Sequence, residues 1–430
     1  MRYAQLCMML AVVLWTPGSA YAASEIEELK IQLQQMMKRI EQLEQVEKSS
    51  AAKPTAESLT TGAAKPVEKM KEKEPEIARS VPEAAVSRKA RIAIGENSGN
   101  PSLSVIGSFT GQRIRGSGGV RSSSFLPLSE AEIIFGANID PHARLDVTVT
   151  GANGTMAVEE GFITANLPWG INLRAGRKFL PVGMVNEKHP HALIYADRPN
   201  GLVNMFGPEI FIGDGVLLDR PFFVGDSVQT LTAGFFSTQN DVAFDPTGTS
   251  QYAGMARWGG LWDLNDAATL KLGADYLQGK NGIAGSHSMT RIGGGHFALK
   301  YQGISQAGFS LEGEWLRRWQ QKGAGATTAV NDGSYLLVNA AVDRNWHLFS
   351  RFDYSRLYDQ ATPLRLIERA ISAGVVWNIS EFQGITLQYK HTRNALTAVA
   401  GDLGIAAGAR ANAWYLRWVV AIGPHRAHPY

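Results

Sequence analysis

Beyond Ser102, apolar residues recur at every second position through most of the chain. Ala131, Ile133, Phe135, Ala137 and Ile139 share one parity, while Glu130, Glu132 and Asn138 hold the other. Leu145, Val147 and Val149 alternate in the same way with Arg144, Asp146 and Thr148. Period-two runs of this kind are strands with one apolar and one polar face. Later runs repeat the pattern. Phe309, Leu311 and Trp315 oppose Ser310, Glu312 and Glu314, and Leu348, Phe352 and Tyr354 oppose His347, Arg351 and Asp353. Turn sequences such as Asp140-Pro141-His142-Ala143 and Pro168-Trp169-Gly170 separate the runs, as hairpins require. The runs predict about 16 antiparallel strands, each long enough for the ~9–11 residues with which a tilted strand crosses a bilayer. Short turns are expected after even-numbered strands and longer Gly- and Ser-rich loops after odd-numbered ones. That asymmetry belongs to outer-membrane β-barrels and puts the amino terminus in the periplasm.

One long interior stretch breaks the alternation. Residues Phe179 to Ile212, FLPVGMVNEKHPHALIYADRPNGLVNMFGPEIFI, fall between the fifth and sixth strands. A segment of this length is expected to fold into the barrel and form a constriction. Inward Arg174 and Lys178 precede it, Lys188, His189, His191 and Arg198 lie within it, and Glu187, Asp197 and Glu209 oppose them. Charges at a narrow point decide which ions pass. The basic side slightly outweighs the acidic side, so a weak anion preference is expected, growing as histidines charge near pH ~6.5. Arg144, Asp146, Glu312, Glu314, Arg351 and Asp353 are expected to line the pore.

The amino-terminal hundred residues read differently. Arg2, the apolar run Leu6 to Leu14 and Ala20-Tyr21-Ala22 make a cleavable secretory signal over residues 1–22. Over 23–48, Ile26, Leu29, Leu33, Met36, Ile40 and Leu43 are spaced 3-4-3-4-3, an a/d seam for a parallel coiled coil. Across that seam Glu25 faces Lys30 of a neighbour and Arg39 faces Glu44, and Met37 and Val46 widen the stripe toward three strands. A homotrimer follows as the expectation. Residues 49–100, rich in Ala, Lys, Glu and Pro, read as a disordered linker, and 101–430 as the barrel.

Composition narrows the function. The chain has 430 residues, a formal charge of +3, 19% charged residues, 45 glycines and 10 tryptophans. It has no apolar run of about 20 residues, so no spanning helix is expected. Near-balanced charge argues against a nucleic-acid partner. The single cysteine, Cys7, falls within the signal, which leaves the mature chain without thiolate metal or haem sites. Glu159 and Glu160, like Glu312 and Glu314, are paired acids, but no nucleophile-and-base spacing accompanies them, so no enzyme is expected. His189-Pro190-His191, with Glu187 and Asp197 in the same stretch, has the residue types of a divalent-cation site. A pore-lining role outweighs that reading, and neither a metal nor a cofactor is expected.

The arrangement resembles the general trimeric porins, whose third external loop folds inward. The segment EEGFITANLPWGINLRAGRKFLPVGMVNEKHPHALIYADRP and the tail GPHRAHPY also resemble the phosphate-selective porin O and P group. That resemblance implies a passive channel for small hydrophilic solutes or ions in the bacterial outer membrane, in contact with its lipid. Two alternatives belong to other classes. One is a structural tether that reaches a periplasmic envelope partner through the coil and linker. The other is a barrel that houses an electron-transfer or metal-uptake partner.

Overall fold

The computed structural model describes residues 101–423, apart from 153, 210, 239, 245–251, 283–287, 304–306, 323–326 and 360–363. The expected signal, coil and linker, with Ile26 to Leu43, and the GPHRAHPY tail after its first glycine lie outside the described residues. One antiparallel sheet carries the described chain. Its strands are β1 (Ser102–Gly116), β2 (Arg121–Ser124), β3 (Leu128–Asp140), β4 (Ala143–Ala152), β5 (Thr155–Leu167) and β6 (Ile171–Phe179). They continue with β7 (Ile212–Val224), β8 (Ser227–Thr238), β9 (Tyr252–Asn265), β10 (Ala268–Lys280), β11 (Met289–Gln302) and β12 (Gly308–Lys322). The last are β13 (Thr327–Ala341), β14 (Trp346–Asp359), β15 (Leu364–Ser380), β16 (Gln383–Arg393) and β17 (Ala411–Ile422). Two short helices, α1 (Asn200–Phe206) and α2 (Thr397–Asp402), lie between strands.

Each strand pairs with its neighbour in sequence, and β17 returns to β1, with Phe109 opposite Trp418 and Gly107 opposite Val420. The ring is therefore closed. β2 and β3 share a single place against β1, on either side of a break at Leu126, whose φ is 45°. The result is a closed antiparallel barrel of 16 strands. Closure pairs the strand edges, which is the condition for standing in lipid without unsatisfied backbone groups.

The two parities separate as the sequence implies. On β14, Leu348 and Phe352 remain 49% and 45% exposed on the outer surface, while Arg351 and Asp353 fall to 0% and 1% inside. Outer aromatic pairs bridge neighbouring strands, among them Trp346 stacked on Trp377 at 5.6 Å.

Connections after even-numbered barrel strands are short, as at Pro141–His142, Gly225–Asp226 and Glu381–Phe382. After odd-numbered strands the expectation of longer loops fails in four places. The β1–β2, β4–β5, β12–β13 and β14–β15 connections span only 117–120, 153–154, 323–326 and 360–363. The length is concentrated in the connections 180–211, 239–251 and 394–410.

The inner face departs from the expected small or polar character. Leu217, Phe236, Met255, Leu277, Ile292, Leu316, Leu337 and Phe349 all point inward and are buried. They form an apolar stripe along the inner wall from β7 to β14. A water-filled lumen would leave such residues wet, and here protein covers them.

Candidate functional site

The covering comes from the stretch between β6 and β7. Leu180, Val182, Val185, Leu193, Tyr195, Leu202, Met205, Phe206 and Phe211 pack on the inward stripe in one buried cluster. The chain at 240–244 joins them, stacking Phe244 on Phe211 at 5.7 Å, while Phe211 stacks on Phe206 at 4.9 Å. A second inclusion lies beside it. Val399, Ala400 and Leu403, from α2 and its C-terminal flank, pack with Ile114, Ala413 and Tyr415 of β1 and β17, and Val203 of α1 joins that cluster.

Close approach fixes α1 against the wall. A Cβ on Gly201 would stand 2.6 Å from the Ser334 nitrogen, and one on Gly333 would stand 2.2 Å from the Gly201 carbonyl oxygen. Two glycines facing each other allow helix and strand backbones to touch.

Backbone groups in this irregular stretch need partners, and wall side chains supply them from many directions. Glu160 of β5 accepts from the Phe179 amide at 3.0 Å. Asp275 of β10 accepts from Gly183 at 3.2 Å, and Glu314 of β12 from Met184 at 3.0 Å. Gln388 of β16 accepts from Ala196 at 2.7 Å. Asn331 of β13 donates to the Asn204 carbonyl at 2.7 Å, Arg318 of β12 to that of Met205, and Arg417 of β17 to that of Pro190 at 2.8 Å.

Charged groups complete the docking. Asp197 meets Arg351 of β14 at 3.1 Å and also accepts from Lys390 and Gln388 of β16. Arg351 is shared with Asp353 at 2.9 Å and lies under the Tyr195 ring, 4.3 Å from its centroid. Burial alone would raise the Asp197 carboxyl, but Arg351 and Lys390 hold it down to about 2. Arg174 grips Asp219 with two hydrogen bonds of 2.8 Å and faces Glu187 at 3.6 Å. Arg257 of β9 closes on the other side of Glu187 at 3.2 Å. Glu368 of β15 accepts from Asn200 at 2.7 Å, Asn204 at 3.2 Å and the Leu396 amide at 2.6 Å, so it links both inclusions.

The histidines lie on the opposite wall. His189 Nδ1 is 3.0 Å from Glu132 Oε1, and its Nε2 is 3.2 Å from Glu160 Oε2. His191 Nδ1 is 3.1 Å from the same Glu132 oxygen. Lys178 meets Glu160 at 3.2 Å. Burial would lower the His189 imidazole, yet its hydrogen bonds to Glu132 and Glu160 raise it to about 10.

Of the residues singled out in sequence, Arg174, Lys178, Glu187, Lys188, His189, His191 and Asp197 come together inside the barrel, each facing a charged partner. Arg198 instead holds the Glu209 carbonyl at 2.7 Å, and the Glu209 side chain is exposed. Glu187 and Asp197 do not join the histidines, because buried arginines claim both. Glu312 faces Lys188 at 3.9 Å, and Arg144 pairs with Asp146 at 2.9 Å, away from the inclusions. Sequence reasoning missed Asp219, Arg257, Asp275, Glu368, Lys390 and Arg417. Their one signal is charge at inward parity.

No family model matches the chain. It is 23% identical over 344 residues to an uncharacterized protein of Aquifex aeolicus, covering 70% of each chain. Its barrel is shared with a loop L8 deletion mutant of OmpT, an outer membrane protein of Vibrio cholerae. The TM-score is 0.51 at 10% identity, with 75% of this chain and 99% of that chain covered. It is also similar to an anion-selective porin from Comamonas acidovorans, with a TM-score of 0.49, 14% identity, and 75% and 100% of the two chains covered.

Proposed function

We propose that this chain is a passive outer-membrane channel for small hydrophilic solutes or ions, constricted by residues 179–212. The observation that carries the reading is wall-to-wall docking. A single segment donates hydrogen bonds to side chains of β5, β10, β12 and β16 and accepts them from β13 and β17, inside a closed barrel. The outward apolar bands suit outer-membrane lipid. The heptads of residues 26–43 would hold three barrels together from the periplasm.

A weak anion preference is assigned to lysines rather than to the paired arginines. Lys271 of β10 and Lys300 of β11 stand at the inward parity of Leu277 and Ile292, as does Glu312, which meets Lys188. Glu312 at 3.9 Å from Lys188 is the acid that faces this group. Like-signed groups facing one aqueous path favour the opposite ion.

Single-channel recording across a salt gradient tests the reading. The wild type should show small conductance and a reversal potential on the anion side, which Lys188→Ala/Lys271→Ala moves toward zero. Deletion of Glu187 to Asn204 should raise conductance. A barrel that stays silent after the deletion would overturn the channel reading, and an unchanged potential would overturn the assignment to the lysines.

A further inference from the structure

We propose that Glu132, His189 and His191 bind a divalent transition-metal cation, with Glu159 or Glu130 as a further ligand, and that the ion ties the lumenal segment to β3 and β5. Ligand atoms of the first three groups lie within 4.8 Å of one another, as do those of Glu130, Glu132 and Glu159. Two imidazoles with carboxylates are the donor set that suits zinc and its neighbours. Donors on one tetrahedral ion, each about 2.0–2.1 Å from it, stand about 3.3 Å apart. The 3.0 and 3.1 Å spacings from Glu132 Oε1 to the two Nδ1 atoms need only a small opening to reach that.

The atoms facing one another give a second, independent reason. His189 Nε2 lies 3.2 Å from Glu160 Oε2. A carboxylate at one ring nitrogen fixes the proton there and turns the other nitrogen's lone pair to a metal. A cation bound at His189 Nδ1 would displace the proton that the ring shares with Glu132 Oε1 and take its place between the two atoms. Glu132 is fully buried, and its second oxygen, Oε2, has no hydrogen-bond partner, nor has Glu159 Oε2. Four carboxylates converge here, against Lys178 and the two imidazoles. Arg198, the next guanidinium along the segment, is committed to the Glu209 carbonyl and to Asn186. Buried acids in excess of their partners call for an added positive charge.

The site also has a mechanical consequence. His189 and His191 flank Pro190 on the lumenal segment, whereas Glu132 and Glu159 belong to β3 and β5. A metal shared between them would bridge the segment and the wall.

The full chain, folded in detergent and stripped with a chelator, is titrated with Zn²⁺ and separately with Co²⁺. One ion per chain should bind, and Co²⁺ should develop visible absorption bands of nitrogen and oxygen ligation. His189→Ala and His191→Ala should each weaken binding by at least tenfold, and Glu160→Gln by about tenfold through the outer shell. Zn²⁺ should also protect residues 179–212 from protease. Should either alanine variant fail to fold, His191→Gln and Glu159→Gln carry the same comparison. Absence of stoichiometric binding, or binding that survives in the His189→Ala/His191→Ala double variant, would overturn the proposal.

Discussion

Asn186 and Phe211 exchange two hydrogen bonds. The Asn186 side-chain amide donates to the Phe211 carbonyl at 2.8 Å, and the Phe211 amide donates back to Asn186 Oδ1 at 3.0 Å. The Asn186 side-chain amide also donates to the Leu180 carbonyl at 2.9 Å. One side chain thus draws both ends of the lumenal segment together. Asn186→Ala should leave the buried Phe211 amide without its acceptor, at ~1–3 kcal/mol, while the Phe211 and Leu180 carbonyls keep the Leu180 and Val182 amides. The expected outcome is an intact barrel whose segment 179–212 is cut readily by protease, with noisier single-channel current. Protection equal to wild type would show that the neck is held by packing alone.

Asp197 is the charged anchor on the far wall. Asp197→Ala leaves the buried Lys390 with Asn200 alone and Arg351 with Asp353 alone, a loss of up to ~3–5 kcal/mol for a broken buried pair. Conductance should rise, and the heat-modified mobility shift of the barrel should occur at lower temperature. Asp197→Asn, which keeps the shape and some hydrogen bonds, should lie between wild type and Asp197→Ala. Equal effects of the two would argue that volume, not charge, is what the anchor supplies.

The pH response follows from the same contact. The Asp197 carboxyl is depressed to about 2 by Arg351 and Lys390, with Asp353 and Gln388 also facing it. A depressed acid favours the docked state fully above its free value, about 4. That contribution is lost as pH falls through about 2. Conductance recorded between pH 7 and pH 4 should therefore show no opening that Asp197→Asn abolishes, and opening of this origin should begin only below that range.

Gly333→Ala should force α1 away from β13. A Cβ there would stand 2.2 Å from backbone, which cannot give way as a side-chain tip can. Overpacking of this kind costs about 1–3 kcal/mol. Thermal unfolding of the barrel should change little while protease access to Asn200–Phe206 rises. Unaltered access would show that helix and strand tolerate separation.

The barrel was legible because alternation is local. Each strand carries its own parity, and Phe309, Leu348 and Trp414 declare the outer face without reference to any neighbour. The place of the lumenal segment was also legible, since Phe179 to Ile212 breaks the period. Its partners were not. Leu277, Ile292 and Leu316 sit at inward parity on consecutive strands, where a single strand shows one odd leucine or isoleucine. Only the closed ring aligns them into a stripe. Charge pairing hid in the same way: Asp197 meets Lys390 across 193 residues, and no short-range pattern links them. The histidines were read with Glu187 and Asp197 because those share their stretch, whereas the acid that meets them comes from β3.

The docked segment also bears on how the molecule is made. Its anchors lie far downstream: Gly183 with Asp275, Met184 with Glu314, and Ala196 with Gln388, separations of 92, 130 and 192 residues. Contacts between distant parts of a chain form late and slowly. The stretch can therefore take its final place only when β10, β12 and β16 stand around it. Filling of the lumen and completion of the wall are in this way one event, since the same side chains serve both.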